Sequence, residues 1–191
     1  RRGNYFNVFV DNKYSFSLDA DSVVRENVSL GNEYTQERVN ELVGKSGFQK
    51  ALETSLRFLS YRFRSKKEIE TNLAKKGFGQ QIVDQVMNKL EEMRMVNDGE
   101  FAKWWVKQRA RGKRALIMEL RRKGVSQKDI NEAVELLPAE EKTAYELLSK
   151  RVDRWQKLPK QEKKKKAYTY LLGRGFDWES VREVVEQIID K

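Results

Sequence analysis

Residues 98–124 read DGEFAKWWVKQRARGKRALIMELRRKG, and the same grammar recurs on both sides of them. Phe101, Ala102, Trp105 and Val106 fall on one side of a helix that Asp98 is placed to cap. Gly112 interrupts that helix. A second follows, with Leu116, Ile117 and Leu120 at helical spacing and Gly124 placed to take the left-handed conformation that closes a C-terminus. Between the apolar residues stand Lys103, Lys107, Arg109, Arg111, Lys113, Arg114, Arg121, Arg122 and Lys123. The unit has a core-forming side and a strongly cationic one.

Three stretches superpose on a glycine: LAKKGF around Gly77, LRRKGV around Gly124 and LLGRGF around Gly175, the glycines 47 and 51 residues apart. Each has a leucine four positions earlier (Leu73, Leu120, Leu171) and an apolar residue directly after (Phe78, Val125, Phe176). Apolar residues return six, nine, ten and thirteen positions beyond each glycine: Val83, Val86, Met87 and Leu90; Ile130, Ala133, Val134 and Leu137; Val181, Val184, Val185 and Ile188. This is an internal repeat. Each copy reads as a long first helix, a basic second helix ending at glycine, and an amphipathic third. Ser65 and Glu68 can box the start of the second helix in the first copy, and Ser126 and Asp177 can cap third helices. In the third copy the loop before the second helix is longer, LPKQE at 158–162, and Lys163–Lys166 follow it. Burying one leucine or phenylalanine from these stripes contributes about 1.5–3 kcal/mol, enough for four or five per face to hold a three-helix module.

Ahead of the repeats, residues 5–18 alternate around Asp11-Asn12-Lys13. Phe6, Val8 and Val10 lie before the turn, and Tyr14, Phe16 and Leu18 after it, which predicts a β-hairpin. A short helix is expected over 19–27 and another over 35–45, with Ser46-Gly47 breaking the pattern. The organisation expected is a hairpin with short helices at 1–46 and three-helix repeats at 47–97, 98–138 and 139–191. The fold class is mainly α, tandem three-helix repeats in an elongated array with a small N-terminal β-hairpin, offering an extended surface and no central pocket.

Composition bounds the chemistry. Lys and Arg total 39 of the 191 residues against 29 Asp and Glu, a formal charge of +10, which points to an anionic partner. Cysteine and histidine are absent, and with them disulfides, Cys or Ser/His nucleophilic machinery and the usual zinc sites. The carboxylates at 91–92, 98, 100 and 140–141 fit helix termini and surface charge, and the glycines sit singly rather than in a phosphate-binding loop. No enzyme activity, metal or cofactor is expected. Without an apolar run of about 18 residues or a signal-peptide h-region, a cytoplasmic protein with no membrane contact is expected, and the opening RRGN is too short to read as a targeting segment; a monomer is expected.

The basic positions cluster on or near the second helices: Lys66, Lys67, Lys75 and Lys76; then those of 103–123; then Lys163, Lys164, Lys165, Lys166 and Arg174. Such a repeated ridge can follow a phosphate backbone, or it can be an ordinary solvated face. Between Trp104 and Lys128 the only acid is Glu119, which favours the ridge in the second repeat. Trp104 and Trp105 point about 100° apart on a helix, so Trp105 joins Phe101 in the core. Trp104 is left for a contact between modules or for stacking on a base, and Trp155 and Trp178 carry the same two readings.

With ALETSLRFLSYRFRSKKEIETNLAKKGF, then IVDQVMNKLEEMRMVND and FAKWWVKQRARGKRALIMELRRKGV in view, the chain resembles the RecX family, regulators of the RecA recombinase. The match is specific over about residues 50–137, while the third repeat matches in pattern more than in identity. The hairpin resembles an extension found in some longer members. The resemblance implies tandem three-helix modules lying in the groove of the RecA filament on single-stranded DNA, inhibiting strand exchange and ATP hydrolysis or destabilising the filament. It also carries Arg109 over as a contact, with Phe101 and Gly124 structural. The other reading is a stand-alone protein using helix-turn-helix geometry on duplex DNA. On the ridge reading, Arg109, Arg111 and Arg114 can all be reversed to Glu without harm to the fold.

Overall fold

The computed structural model describes residues 5–190; residues 1–4, including the opening stretch, and residue 191 lie outside them. Two compact units divide the chain. The first comprises the residues up to Arg62 together with Ile69–Met93, the second Phe63–Glu68 together with Arg94 onward.

In the first unit, β1 (Tyr5–Val10) and β2 (Lys13–Asp19) pair antiparallel. Asp11 and Asn12 form the turn with φ of 48° and 64°, the left-handed pair that a two-residue hairpin requires and that these residue types tolerate. Val8 pairs with Phe16 but Phe9 with Tyr14, so Ser15 is an extra residue in β2. This bulge corrects the simple alternation: Tyr14 leaves the face of Phe16 and Leu18 and is 56% exposed, while those two are buried against Val39 and Leu42.

Helix α1 (Ala20–Arg25) starts at Asp19, whose carboxylate accepts from the Ser22 N–H at 2.8 Å. Helix α2 runs unbroken over Gln36–Ser60, so the break expected at Ser46-Gly47 does not occur. Two contacts explain why. Ser46 Oγ donates to the Ser17 carbonyl at 2.6 Å, and a Cβ on Gly47 would lie 2.7 Å from Ile82 Cδ1 of α4 (Gln80–Glu92). The glycine, worth about 1 kcal/mol less than alanine in a helix, lets α4 close onto α2. Helix α3 (Lys66–Lys75) begins in the second unit and ends in the first. The Ser65–Glu68 box forms there, with Ser65 Oγ accepting from the Glu68 N–H and Glu68 Oε2 from the Ser65 N–H, each at 3.2 Å.

The second unit holds α5 (Asp98–Lys107), α6 (Lys113–Arg122) and α7 (Gln127–Glu135), then α8 (Glu140–Val152), α9 (Lys160–Leu172) and α10 (Trp178–Val185). Asn97, not Asp98, caps α5, its side chain accepting from the Glu100 N–H at 3.0 Å. Asp98 instead accepts from the Lys66 N–H at 2.9 Å, at the start of α3. Residues 160–162 are also not loop but the first turn of α9, so the lysine run is helical. Ser126 and Asp177 cap as expected, accepting from Asp129 N–H at 3.1 Å and Ser180 N–H at 2.8 Å.

The repeated leucine–glycine signature is a helix ending. Gly77, Gly124 and Gly175 have φ of +85°, +80° and +83°, and the next residue's N–H reaches back to the carbonyl of Leu73, Leu120 or Leu171. The same leucines and Val125 and Phe176 are buried, so one motif both stops the helix and seeds the core. Phe101, Trp105, Leu116, Leu120 and Ile130 form one core; Leu148, Leu171, Phe176, Val181 and Val184 form the next.

Candidate partner-binding face

Glu119 holds α5 against α6. Its Oε2 accepts from the Trp105 indole N–H at 2.9 Å, Arg111 reaches its Oε1 at 2.9 Å, and Arg109 Nε lies 3.5 Å from Oε2. The Arg109 guanidinium stacks 3.4 Å from the centroid of Trp105, and Lys123 Nζ sits 4.1 Å from it. Lys123 also pairs with Glu68 at 2.7 Å, both side chains only 18% exposed, where water screens little. Arg109, Arg111 and Lys123 therefore serve the module's own packing. Reversing Arg109 and Arg111 would break this cluster, which corrects the expectation that they can be reversed without harm to the fold.

Trp105 lies in the core, as its spacing predicts. Trp104 is half-buried, its ring 5.6 Å from Phe63, which precedes α3, and 6.1 Å from Phe101. Lys103 pairs with Glu100 at 3.0 Å, and that hydrogen bond raises its pKa.

Lys107, Lys113, Arg114 and Arg122 are exposed, and their side chains form no ion pair among the described residues. Arg121 forks onto Gln127 Oε1 at 2.8 and 3.1 Å. Helical spacing puts Lys113, Arg114, Ile117, Met118 and Arg121 along one wall of an open groove of about 1060 Å³. Leu172, Phe176 and Trp178 supply the facing apolar residues. Trp178 is 56% exposed and stacks on Tyr168 at 5.0 Å.

The groove's acids already have partners. Glu140 accepts from the Lys113 N–H and, at 2.9 Å, from the Asp177 N–H; Glu141 accepts from Ser180 Oγ at 2.6 Å. Burial, reinforced by the neighbouring Asp177 carboxyl, pushes the Glu140 carboxyl up against the opposing pull of the Asp177 and Lys113 N–H groups. At Asp177 burial opposes ionisation, yet hydrogen bonds led by those from Ser180 hold the carboxyl down at about 2. The carboxylates are thus turned to the groove's own N–H and O–H donors, while the side chains of Lys113 and Arg114 form no ion pair among the described residues.

The remaining predicted residues form separate groups. Lys164 pairs with Asp190 at 2.7 Å, which raises its pKa, and Lys163 is half-buried beside it. Lys165 and Lys166 are exposed at a cavity lined also by Arg151, Trp155 and Tyr170, and Arg174 lies 4.6 Å from the Tyr170 ring centroid. Lys75 and Lys76 belong to the first unit.

Three family models match, the first, second and third three-helix domains of RecX, over residues 51–90, 97–134 and 139–185. The chain belongs to the RecX family. The regulatory protein RecX of Bacillus subtilis (strain 168) is 33% identical over 189 residues, 96% of this chain and 72% of that protein. The one from Clostridium perfringens (strain 13 / Type A) is 26% identical over 194 residues, 98% of this chain and 92% of that protein. A crystal structure of regulatory protein RecX has a TM-score of 0.68 at 21% identity, covering 100% of this chain and 94% of that one. RecX from Lactobacillus salivarius has a TM-score of 0.63 at 22% identity, covering 74% and 96%.

Seen against the RecX domains, the groove lies between the second and the third. Sequence reasoning missed the groove's far wall and the role of Glu119. The signal for Glu119 was its isolation among cations; nothing in the local pattern pointed to Leu172 and Trp178 facing Met118.

Proposed function

We propose that this chain regulates the RecA recombinase by binding and not by catalysis. In this reading it works as a cytoplasmic monomer whose three modules lie in the groove of the RecA filament on single-stranded DNA. Its presence there slows strand exchange and ATP hydrolysis or destabilises the filament. The observation that carries this reading is the tandem RecX domains with an exposed set of cations on the second helix of the middle one whose side chains form no ion pair among the described residues. Lys113, Arg114 and Arg122 provide the contact to phosphate or to an acidic protein surface, and the apolar groove beside them adds area.

The duplex helix-turn-helix reading requires a third helix that can enter the major groove among phosphates. On α7 the exposed residues include Glu132 and Glu135, and on α10 Glu179 and Glu183, acids where that geometry needs neutral or basic groups. This favours the recombinase reading.

The test is RecA-dependent ATP turnover on single-stranded DNA. Saturating protein should suppress it, and the triple reversal Lys113→Glu, Arg114→Glu, Arg122→Glu should raise the half-inhibitory concentration about tenfold or more with melting unchanged. Full turnover at saturating wild-type protein would refute the proposal.

A further inference from the structure

The outer face of the N-terminal hairpin has no part in the site just described. Tyr5, Asn7, Phe9 and Ser17 alternate onto the face opposite the Phe16–Leu18 core, and the bulge at Ser15 adds Tyr14 to them. Tyr14 Oη lies 3.0 Å from Ser17 Oγ, which donates to Asn7 Oδ1 at 3.0 Å, so the ring is held by a hydrogen-bonded chain across the strands. Phe9 packs edge-on against it at 6.0 Å, and the two rings are 60% and 56% exposed. Two large exposed aromatics, one turned outward at the expense of ladder regularity, are an expensive arrangement for a surface with nothing to bind.

The same face runs into a cavity of about 720 Å³ between the hairpin and α2, lined by Tyr5, Lys50, Glu53, Arg57, Lys76 and Phe78 among others. Lys50, Arg57 and Lys76 form no ion pair among the described residues, so three cations face one carboxylate. The Tyr5 hydroxyl is buried beside Glu53 without a hydrogen bond of good geometry among the described residues. Burial, with Glu53 adding to it, raises its pKa well above the tyrosine range, so it stays a neutral donor.

We infer that this face is a platform for single-stranded nucleic acid. Phe9 and Tyr14 stack on bases, and Lys50, Arg57 and Lys76 follow the phosphates. An acidic peptide would use the cations but would leave the two rings without a function; unpaired bases use both. The inference extends the proposed function, sharing its single strand, but its readout needs no recombinase.

The experiment is fluorescence anisotropy of a labelled oligothymidylate with the full chain in the absence of RecA. Phe9→Ala and Tyr14→Ala should each weaken binding about tenfold, while Tyr14→Phe, which keeps the ring, should bind within about twofold of wild type. Replacing Lys50, Arg57 and Lys76 with Gln should reduce the salt slope by about 2. Both rings are exposed, so circular dichroism should not change. Ring-deleted variants that bind like the parent would overturn the inference. So would competition by polyglutamate that is insensitive to Phe9→Ala and Tyr14→Ala, which would mark an acidic-peptide site. Assaying the same variants for RecA-dependent turnover separates the two proposals. Hairpin-dependent oligonucleotide binding without wild-type inhibition of RecA sinks the recombinase reading alone; inhibition with hairpin-independent binding sinks this one alone.

Discussion

Glu119 is a single carboxylate shared by an indole N–H and two guanidinium groups, and the only acid between Trp104 and Lys128. Glu119→Gln should therefore destabilise the protein by about 1–3 kcal/mol, since Arg109, stacked on Trp105, and Arg111 both lose their counter-charge. Lys113→Glu on the open face should stay within about 0.5 kcal/mol of wild type. Urea midpoints of the two variants check this, and equal midpoints would reassign Arg109 and Arg111 to the solvent. Residue type and spacing were enough to put Phe101 and Trp105 inside and the basic residues outside. They could not sort those basic residues into paired and unpaired, because a helical projection shows the direction of a side chain and not the carboxylate it meets. Lys123 finds its partner, Glu68, 55 residues away in sequence.

Among the elements, the glycine-closed ends of α3, α6 and α9 are one motif in three packing environments. A Cβ on Gly77 would meet nothing within 4 Å, so Gly77→Ala should cost only the left-handed strain, about 1–2 kcal/mol. At Gly175 it would also press on Ala115, whose backbone N lies 2.7 Å away, so Gly175→Ala should cost about 3 kcal/mol or more. Chemical denaturation ranks them, and a reversed order would contradict the packing. The start of α10 should show in the acid limb. The Asp177 carboxyl is held at about 2 in the folded chain against an ordinary 3.8, so its contribution is complete above about pH 4 and is lost as pH falls toward 2. Asp177→Asn should flatten unfolding free energy across that window; an unchanged slope would place the acid sensitivity elsewhere. The helix ends and caps were legible because each is a local pattern of a few residues. The continuity of α2 was not, because the reason for Gly47 is Ile82 on another helix.

At the scale of the whole molecule, the threefold repeat was open to reading because the same core had to be encoded three times. The groove walled by α6, α9 and α10 was not, since it is made by two modules meeting and neither encodes it alone. If binding to single strands is electrostatic, the logarithm of affinity should fall with the logarithm of salt at about −0.7 per phosphate neutralised, and a flat slope would remove the cations from the interface. The junction beneath the groove also gives a direct readout. The Gly112 N–H donates to the Arg174 carbonyl at 3.1 Å, one backbone on another, with no room for a side chain on Gly112. That amide lies at the edge of a loop, where deuterium would ordinarily enter within the first moments of labelling. Here it should exchange only when the second and third modules separate, so its rate is a clock for their parting, and a partner that wedges them apart would be seen to speed it.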